Sequence, residues 1–226
     1  GVSAMSFPML RLRGEIGLLF ALMINSLGIV LMLHSNGGIT PVASFPYAVY
    51  EVWPVLSLGS WNFAFQCALV LLLMVLRKRI VPAYLCSFLF SFLFGRFVDF
   101  HNAWVNGIPQ TLPLNLLCYF AGYLLLAFGV SVSNLSAMPI LPTDLFPRDA
   151  AGIFRIPYRR FKVCYDICCV VFAMALLLGF SGGIGGIGVG TVFAAFTMGA
   201  VVSPMMRRLE KHVRFVSVFS KRAASV

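Results

Sequence analysis

The sequence predicts an all-α membrane protein: six transmembrane helices built as two inverted three-helix repeats with Pro-rich interrupted segments. Three observations carry that expectation. The chain is 60% hydrophobic and 11% charged, with mean hydropathy +0.94, whereas soluble domains carry about 25% charged residues. Its Lys and Arg gather at the ends of apolar runs. It also matches itself when slid by 101 residues, so that Gly28 falls on Gly129.

A hydrocarbon core needs about 20 apolar residues per helical crossing. Runs of that kind, bounded by charge, Pro or Gly, place spans near 14–34, 60–76, 82–101, 112–133, 163–181 and 188–206. The first is led by Arg11, Arg13 and Glu15 and ends in His34-Ser35-Asn36. The second is short for a crossing and is extended by the aromatic flank around Trp61; Arg77-Lys78-Arg79 close it. The third is rich in Phe, which reads as lipid contact and packing, and holds Arg96 and Asp99. Ser131, Ser133 and Asn134 make the end of the fourth polar, Lys162 precedes the fifth, and Arg207-Arg208 close the sixth.

Of 17 Lys and Arg, all but Arg96 fall on one side of a six-span arrangement, and the loops of the other side contain none. Basic residues mark the cytoplasmic side, so both termini are expected there. Tyr47, Tyr50, Trp53, Trp61 and Trp104 cluster at the opposite face, where amphipathic rings favour the headgroup level. The organisation expected is a cytoplasmic N-terminus over 1–13, one repeat over 14–110, its inverted partner over 111–206, and a basic cytoplasmic C-terminus over 207–226. No cleavable signal peptide is expected, since the first apolar run is full length and no small-residue cleavage site follows it.

In the self-match, Ser35, Ile39, Pro41, Phe45 and Pro46 fall on Ser136, Ile140, Pro142, Phe146 and Pro147. A further slip of three residues sets Phe94-Gly95 and Asp99 over Met198-Gly199 and Ser203. Each half is then a helix, a Pro-rich segment able to hold a short helix, and two more helices. Three crossings being odd, the second half enters from the opposite face. Inverted repeats are characteristic of secondary transporters, with solute near the midplane between repeats.

Gly188-Val189-Gly190-Thr191, followed by Gly199 and Ser203-Pro204, resembles the start of the last helix in the bacterial YczE/YyaS/YitT-like membrane proteins. Phe94-Gly95 with Asp99, Pro142-Thr143-Asp144 and Tyr165-Asp166 are similar to that family too. One departure is that the first repeat reads Pro41-Val42-Ala43, with no acid to match Asp144. The resemblance implies a small multi-pass protein of the bacterial cytoplasmic (inner) membrane, with no substrate to carry over.

The net charge of +10 is explained by orientation signals, and no nucleic-acid partner is expected. The six cysteines lie in or beside spans and read as packing residues. Neither a metal site nor a cofactor site is indicated: Cys164 and Cys168 share a face with no His nearby, and the glycines of 182–190 follow no strand. No nucleophile, base and acid have hydrolase spacing, so no enzyme is expected.

Within the spans, a charge at the bilayer centre costs at least about 2.5 kcal/mol on insertion scales. Arg96 and Asp99 stand one turn apart and can neutralise each other. Asn25 lies mid-span, and Asp166 is near Lys162. Pro41 and Pro142 suit the first turn of short helices, with Thr40, Ser44, Thr143 and Asp144 available as caps. The expected site is a cavity between the segments Pro41 to Pro46 and Pro142 to Pro147, with Asn25 nearby and Arg96 and Asp99 beside it. It would take an anionic or zwitterionic small molecule. The alternatives for these residues are interfacial turns and a structural ion pair.

For function the expectation is a small-molecule secondary transporter. The competing reading is a non-transporting accessory or structural membrane protein whose basic face binds a partner or anionic lipid. Topology is checked by labelling cysteines placed at Asn106 and Ile184. Both should react only with reagent added outside, and labelling of either from the cytoplasm would refute the arrangement.

Overall fold

The computed structural model describes residues 10–78, 82–136, 141–183 and 185–216. Within them lie a short strand β1 (Leu10–Arg13), eight helices and a last strand β2 (Val213–Val216). The helices are α1 (Gly14–His34), α2 (Pro41–Val52), α3 (Leu58–Arg77), α4 (Pro82–Val105), α5 (Leu112–Leu135), α6 (Pro142–Phe154), α7 (Tyr158–Phe180) and α8 (Val189–His212). Five of them, α1, α3, α5, α7 and α8, are long and apolar enough to cross a bilayer. Five of the six expected spans are thus supported on that measure among the described residues.

Helix ends follow local chemistry more than hydropathy. Pro41 and Pro142 open the two short helices at the first turn, where a missing N–H costs nothing. The side-chain caps expected there are absent: neither Thr40 nor Leu141, the residues in the cap positions, makes a side-chain cap bond. The Ser44 hydroxyl instead donates back to the Pro41 carbonyl at 2.5 Å. Lys78 and Arg155 end α3 and α6 in the left-handed conformation, at φ 51° and 56°. α7 starts at Tyr158 and α8 runs on to His212, both beyond their apolar runs. Hydropathy reports where lipid stops, while the backbone hydrogen bonds continue into the basic turns.

The strands were not expected. Leu10–Arg13 pairs in parallel with Val213–Val216, Leu10 opposite Val213. The ribbon sets the entry to α1 beside the exit from α8.

At the centre α1 and α5 cross with their backbones in contact. A Cβ at Gly28 would stand 2.8 Å from the Gly122 carbonyl oxygen, and one at Gly122 would stand 2.6 Å from that of Gly28. Gly129 is pressed in the same way against Asn25 and Ala21. As the α1 partner moves from 28 to 21 the α5 partner moves from 122 to 129, so the helices run antiparallel. α4 packs on α1 and α8 on α5; α2 lies against α7, and α6 against α3. α3 and α4 form a second tight crossing, where a Cβ at Gly95 would meet the Gly59 carbonyl at 2.5 Å.

Overpacking costs typically about 1–3 kcal/mol, and here the obstacle is backbone that cannot rotate away. Gly28→Leu should therefore lower the melting temperature by roughly 5 °C or more. Gly179→Leu should leave it unchanged or raise it, since nothing lies within 4 Å of a Cβ at Gly179 and Leu is the better helix former. Thermal unfolding in detergent measures both, and equal melting temperatures would show that the crossing is not tight.

Candidate functional site

The side chains expected to share one cavity fall in four environments. Asn25 is buried at the α1–α5 crossing, with its Oδ1 against Gly129 and without a hydrogen-bond partner among the described residues. Pro41 and Ser44 are buried in α2. Beside them the Ile39 N–H, just before α2, donates to Thr191 Oγ1 at 3.1 Å, and the Gly190 N–H donates to the Gly37 carbonyl at 2.8 Å. These bonds tie the end of α1 and the start of α2 to the start of α8. Pro142, Thr143 and Asp144 form the first turn of α6, against α3 and α7.

Arg96 and Asp99 lie at the α3–α4 crossing. A small cleft of about 40 Å³ there is lined by Gly59, Ser60, Phe63, Phe92, Gly95 and Arg96. The Arg96 guanidinium is 3.8 Å from Asp99, beyond hydrogen-bonding distance. Asp99 is engaged more tightly with α3. Its Oδ1 accepts the Gly59 N–H at 2.7 Å and its Oδ2 accepts the Ser57 hydroxyl at 2.7 Å. One carboxylate thus adds to the Ser57 side-chain cap at the N-terminus of a neighbouring helix, where its charge also meets the positive end of the helix dipole.

A charged cluster occupies the α6–α7 contact. Lys162 Nζ donates to Asp166 Oδ1 at 2.7 Å and lies 5.4 Å from the centre of the Tyr165 ring. That ring packs on Phe146 of α6, with centroids 5.5 Å apart. Asp144 adds a second carboxylate within the field of the same ammonium. Burial, the largest influence, pushes its pKa above the ordinary value; Lys162 opposes that shift, Asp166 adds to it and Arg148 opposes it. Further along α6, Asp149 accepts from Arg77 at 3.0 Å and from the Tyr84 hydroxyl at 2.5 Å, which binds α3, α4 and α6 at one end. Among the described residues no three His, Cys, Asp or Glu gather as a metal site.

Gln66 of α3 was missed by sequence reasoning. It is fully buried, and neither its amide nitrogen nor its oxygen has a hydrogen-bond partner among the described residues. Next to it, the Phe65 ring packs at a tilt against Phe45 of α2, with centroids 5.3 Å apart. Three residues further along, Leu69 packs with Leu145 and Phe146 of α6. At a rise of about 1.5 Å per residue, Gln66 sits at the level where α3 passes from one short helix to the other. The signal was available: Gln66 is the most deeply placed amide of its apolar run, one turn beyond Asn62, and polar groups within a span face the bundle interior by default.

Long apolar helices, two short Pro-led helices wedged among them and a buried unpaired amide are the features of a multi-pass helical membrane protein. Within that class, the chain belongs to the family of unknown function DUF6198, which it matches over residues 12–207. No curated protein and no solved structure matches it.

The raised pKa of Asp144 has a consequence for stability. In the unfolded chain a carboxyl titrates near about 3.9, while the folded chain holds this proton to higher pH. Its contribution to stability is therefore complete below the unfolded value and is lost as pH rises through the folded one. Asp144→Asn removes that dependence. The melting temperature of the variant relative to the parent should rise as the pH is raised from about 4, and a difference that stays flat would show an ordinary, hydrated carboxyl.

Proposed function

We propose that the protein is a secondary transporter of a small zwitterionic or anionic solute, bound between two inverted repeats at the level of Gln66. The observation that carries this reading is the buried amide with both polar atoms unpaired. An unpaired polar group costs about 1–3 kcal/mol inside a protein, and every polar atom at membrane depth needs a partner. A solute passing between the short helices supplies one. Asp144 offers a carboxylate to an ammonium group, and the N-termini of α2 and α6, uncapped by side chains, favour a negative one. A zwitterion has both.

The repeat reading is supported by reciprocal packing. Under the 101-residue match Gly28 against Gly122 becomes Gly129 against Ala21, and both contacts occur. α4 on α1 answers α8 on α5, and α6 on α3 answers α2 on α7. On this reading α4 is the sixth crossing, with its Asp99 bonded to the start of α3. The terminal ribbon, which holds the ends of α1 and α8 together, suits an even number of crossings with both termini on one side. The excess of basic residues makes that side the cytoplasm of a bacterial inner membrane, as the YczE/YyaS/YitT-like resemblance implies.

Amino acids, carboxylates and betaines are screened for thermal stabilisation of the purified protein, and hits are tested for uptake into proteoliposomes. At least one should both stabilise and be carried. Gln66→Leu exchanges an unpaired amide for an apolar side chain of similar volume, so it should keep or raise the melting temperature while abolishing stabilisation and uptake. Stabilisation and uptake unchanged in that variant would sink the site, and no carried solute across the panel would favour an accessory role.

A further inference from the structure

The two halves share a plan but not a conformation. α3 and α4 are closed on each other through Gly59 and Gly95, the edge contact of Phe63 with Phe92 at 5.8 Å, and the capping of α3 by Asp99. The equivalents in the second half, three residues beyond the 101-residue match, are Ile167 for Phe63, Phe196 for Phe92, Gly199 for Gly95 and Ser203 for Asp99. Here nothing is closed. Among the described residues no atom lies within 4 Å of a Cβ at Gly199, Phe196 is 80% exposed and Ile167 is 56% exposed. α7 is held by α2 and α6, α8 by α5, and the two diverge.

We infer that α7 and α8 form the gate of one side of the membrane, open in this structure, and that α3 and α4 form the gate of the other, latched here by Asp99. The inference rests on the repeat reading above. Two copies of one packing plan give a molecule two arrangements of similar energy, related by a two-fold axis in the membrane plane, each with one gate shut. In the alternative arrangement α8 swings onto α7, with Phe196 meeting Ile167 as Phe92 meets Phe63. The α3–α4 crossing then opens, and Asp99 releases the Gly59 N–H and the Ser57 hydroxyl. The latch is lopsided, since Ser203 stands where Asp99 would be and its hydroxyl donates within α8 to the Gly199 carbonyl, while Phe161 and Val163, the equivalents of Ser57 and Gly59, lie inside α7. That difference biases the chain toward the arrangement seen. Lys162 and Asp166 stand on the α7 side of the open gate, where a charged solute would enter from the basic face.

A native thiol makes this testable with one substitution. Cys164 is exposed on α7 and corresponds to Ser60; Ala200 of α8 corresponds to Arg96. Ser60 and Arg96 line the same small cleft on the closed side. Full-length protein carrying Ala200→Cys, in lipid nanodiscs and oxidised with copper phenanthroline, should form an intramolecular disulfide to Cys164, mapped by peptide mass and abolished by Cys164→Ser. Adding Asp99→Asn should raise its rate several-fold, because releasing one gate frees the other to shut; Ser57→Ala, which removes one of the two latch bonds, should raise it less. Absence of that disulfide in monodisperse protein, a crosslink only between molecules, or a rate that both latch variants leave unchanged would overturn the inference. The assay needs no solute. A gate that closes in a protein carrying nothing would therefore refute transport alone, and uptake without closure would refute the gate alone.

Discussion

The contact of the α1 and α5 backbones is the constraint on which the rest of the structure depends. Inside a bilayer there is no hydrophobic gain in bringing helices together, because lipid tails are as apolar as Leu; association comes from close packing and polar bonds. Gly28 and Gly122 let the two main chains touch, and Gly129 repeats the device around Asn25. The antiparallel pair is then a rigid keel. α4 and α8 dock along it, and the remaining helices complete the bundle by packing on each other. A side chain at any of these glycines would push the keel apart and displace both halves at once.

Polar groups inside this bundle do unequal work. Asp99 caps α3, Asp149 joins Arg77 to Tyr84, and Lys162 is held by Asp166. The first two arrangements convert an expensive charge into a bond between helices, and the third pairs two charges within α7. At one end Tyr119 donates to the Gly190 carbonyl at 2.6 Å and Thr191 accepts from Ile39, fixing where the first short helix begins. Against that background Gln66 stands out because it is fully buried and neither of its polar atoms is bonded to a neighbour among the described residues. For packing alone, Leu would serve there as well.

The closed α3–α4 pair and the divergent α7–α8 pair bring the electrostatics and the packing together. A carboxylate over a helix N-terminus is a strong, directional clasp, and the glycine pair beneath it brings the helices near enough to use it. In α8, by contrast, a Cβ at Gly199 would meet no described atom within 4 Å, and the Ser203 hydroxyl donates to the Gly199 carbonyl of its own helix.

The amino-acid sequence by itself determined the helical class, the placing of the long helices to within a few residues, and the two Pro-led short helices. Hydropathy and proline act locally, and the bilayer leaves a backbone few alternatives. It also marked Asp99 and Asp144 as residues of consequence, since charge within an apolar chain is costly wherever it ends up. Partners were another matter. Asp99 could be paired in advance only with Arg96, one turn away, whereas its bonds go to Ser57 and Gly59 some forty residues earlier. Gln66 drew no notice, because an amide is unremarkable until its neighbours are known to offer nothing. The terminal ribbon joins residues about two hundred apart, and the divergence of α7 from α8 contradicts no local preference in either helix. Only the tertiary structure decided these points: a hydrogen bond or a close approach is a property of two surfaces meeting, and periodicity describes one surface at a time.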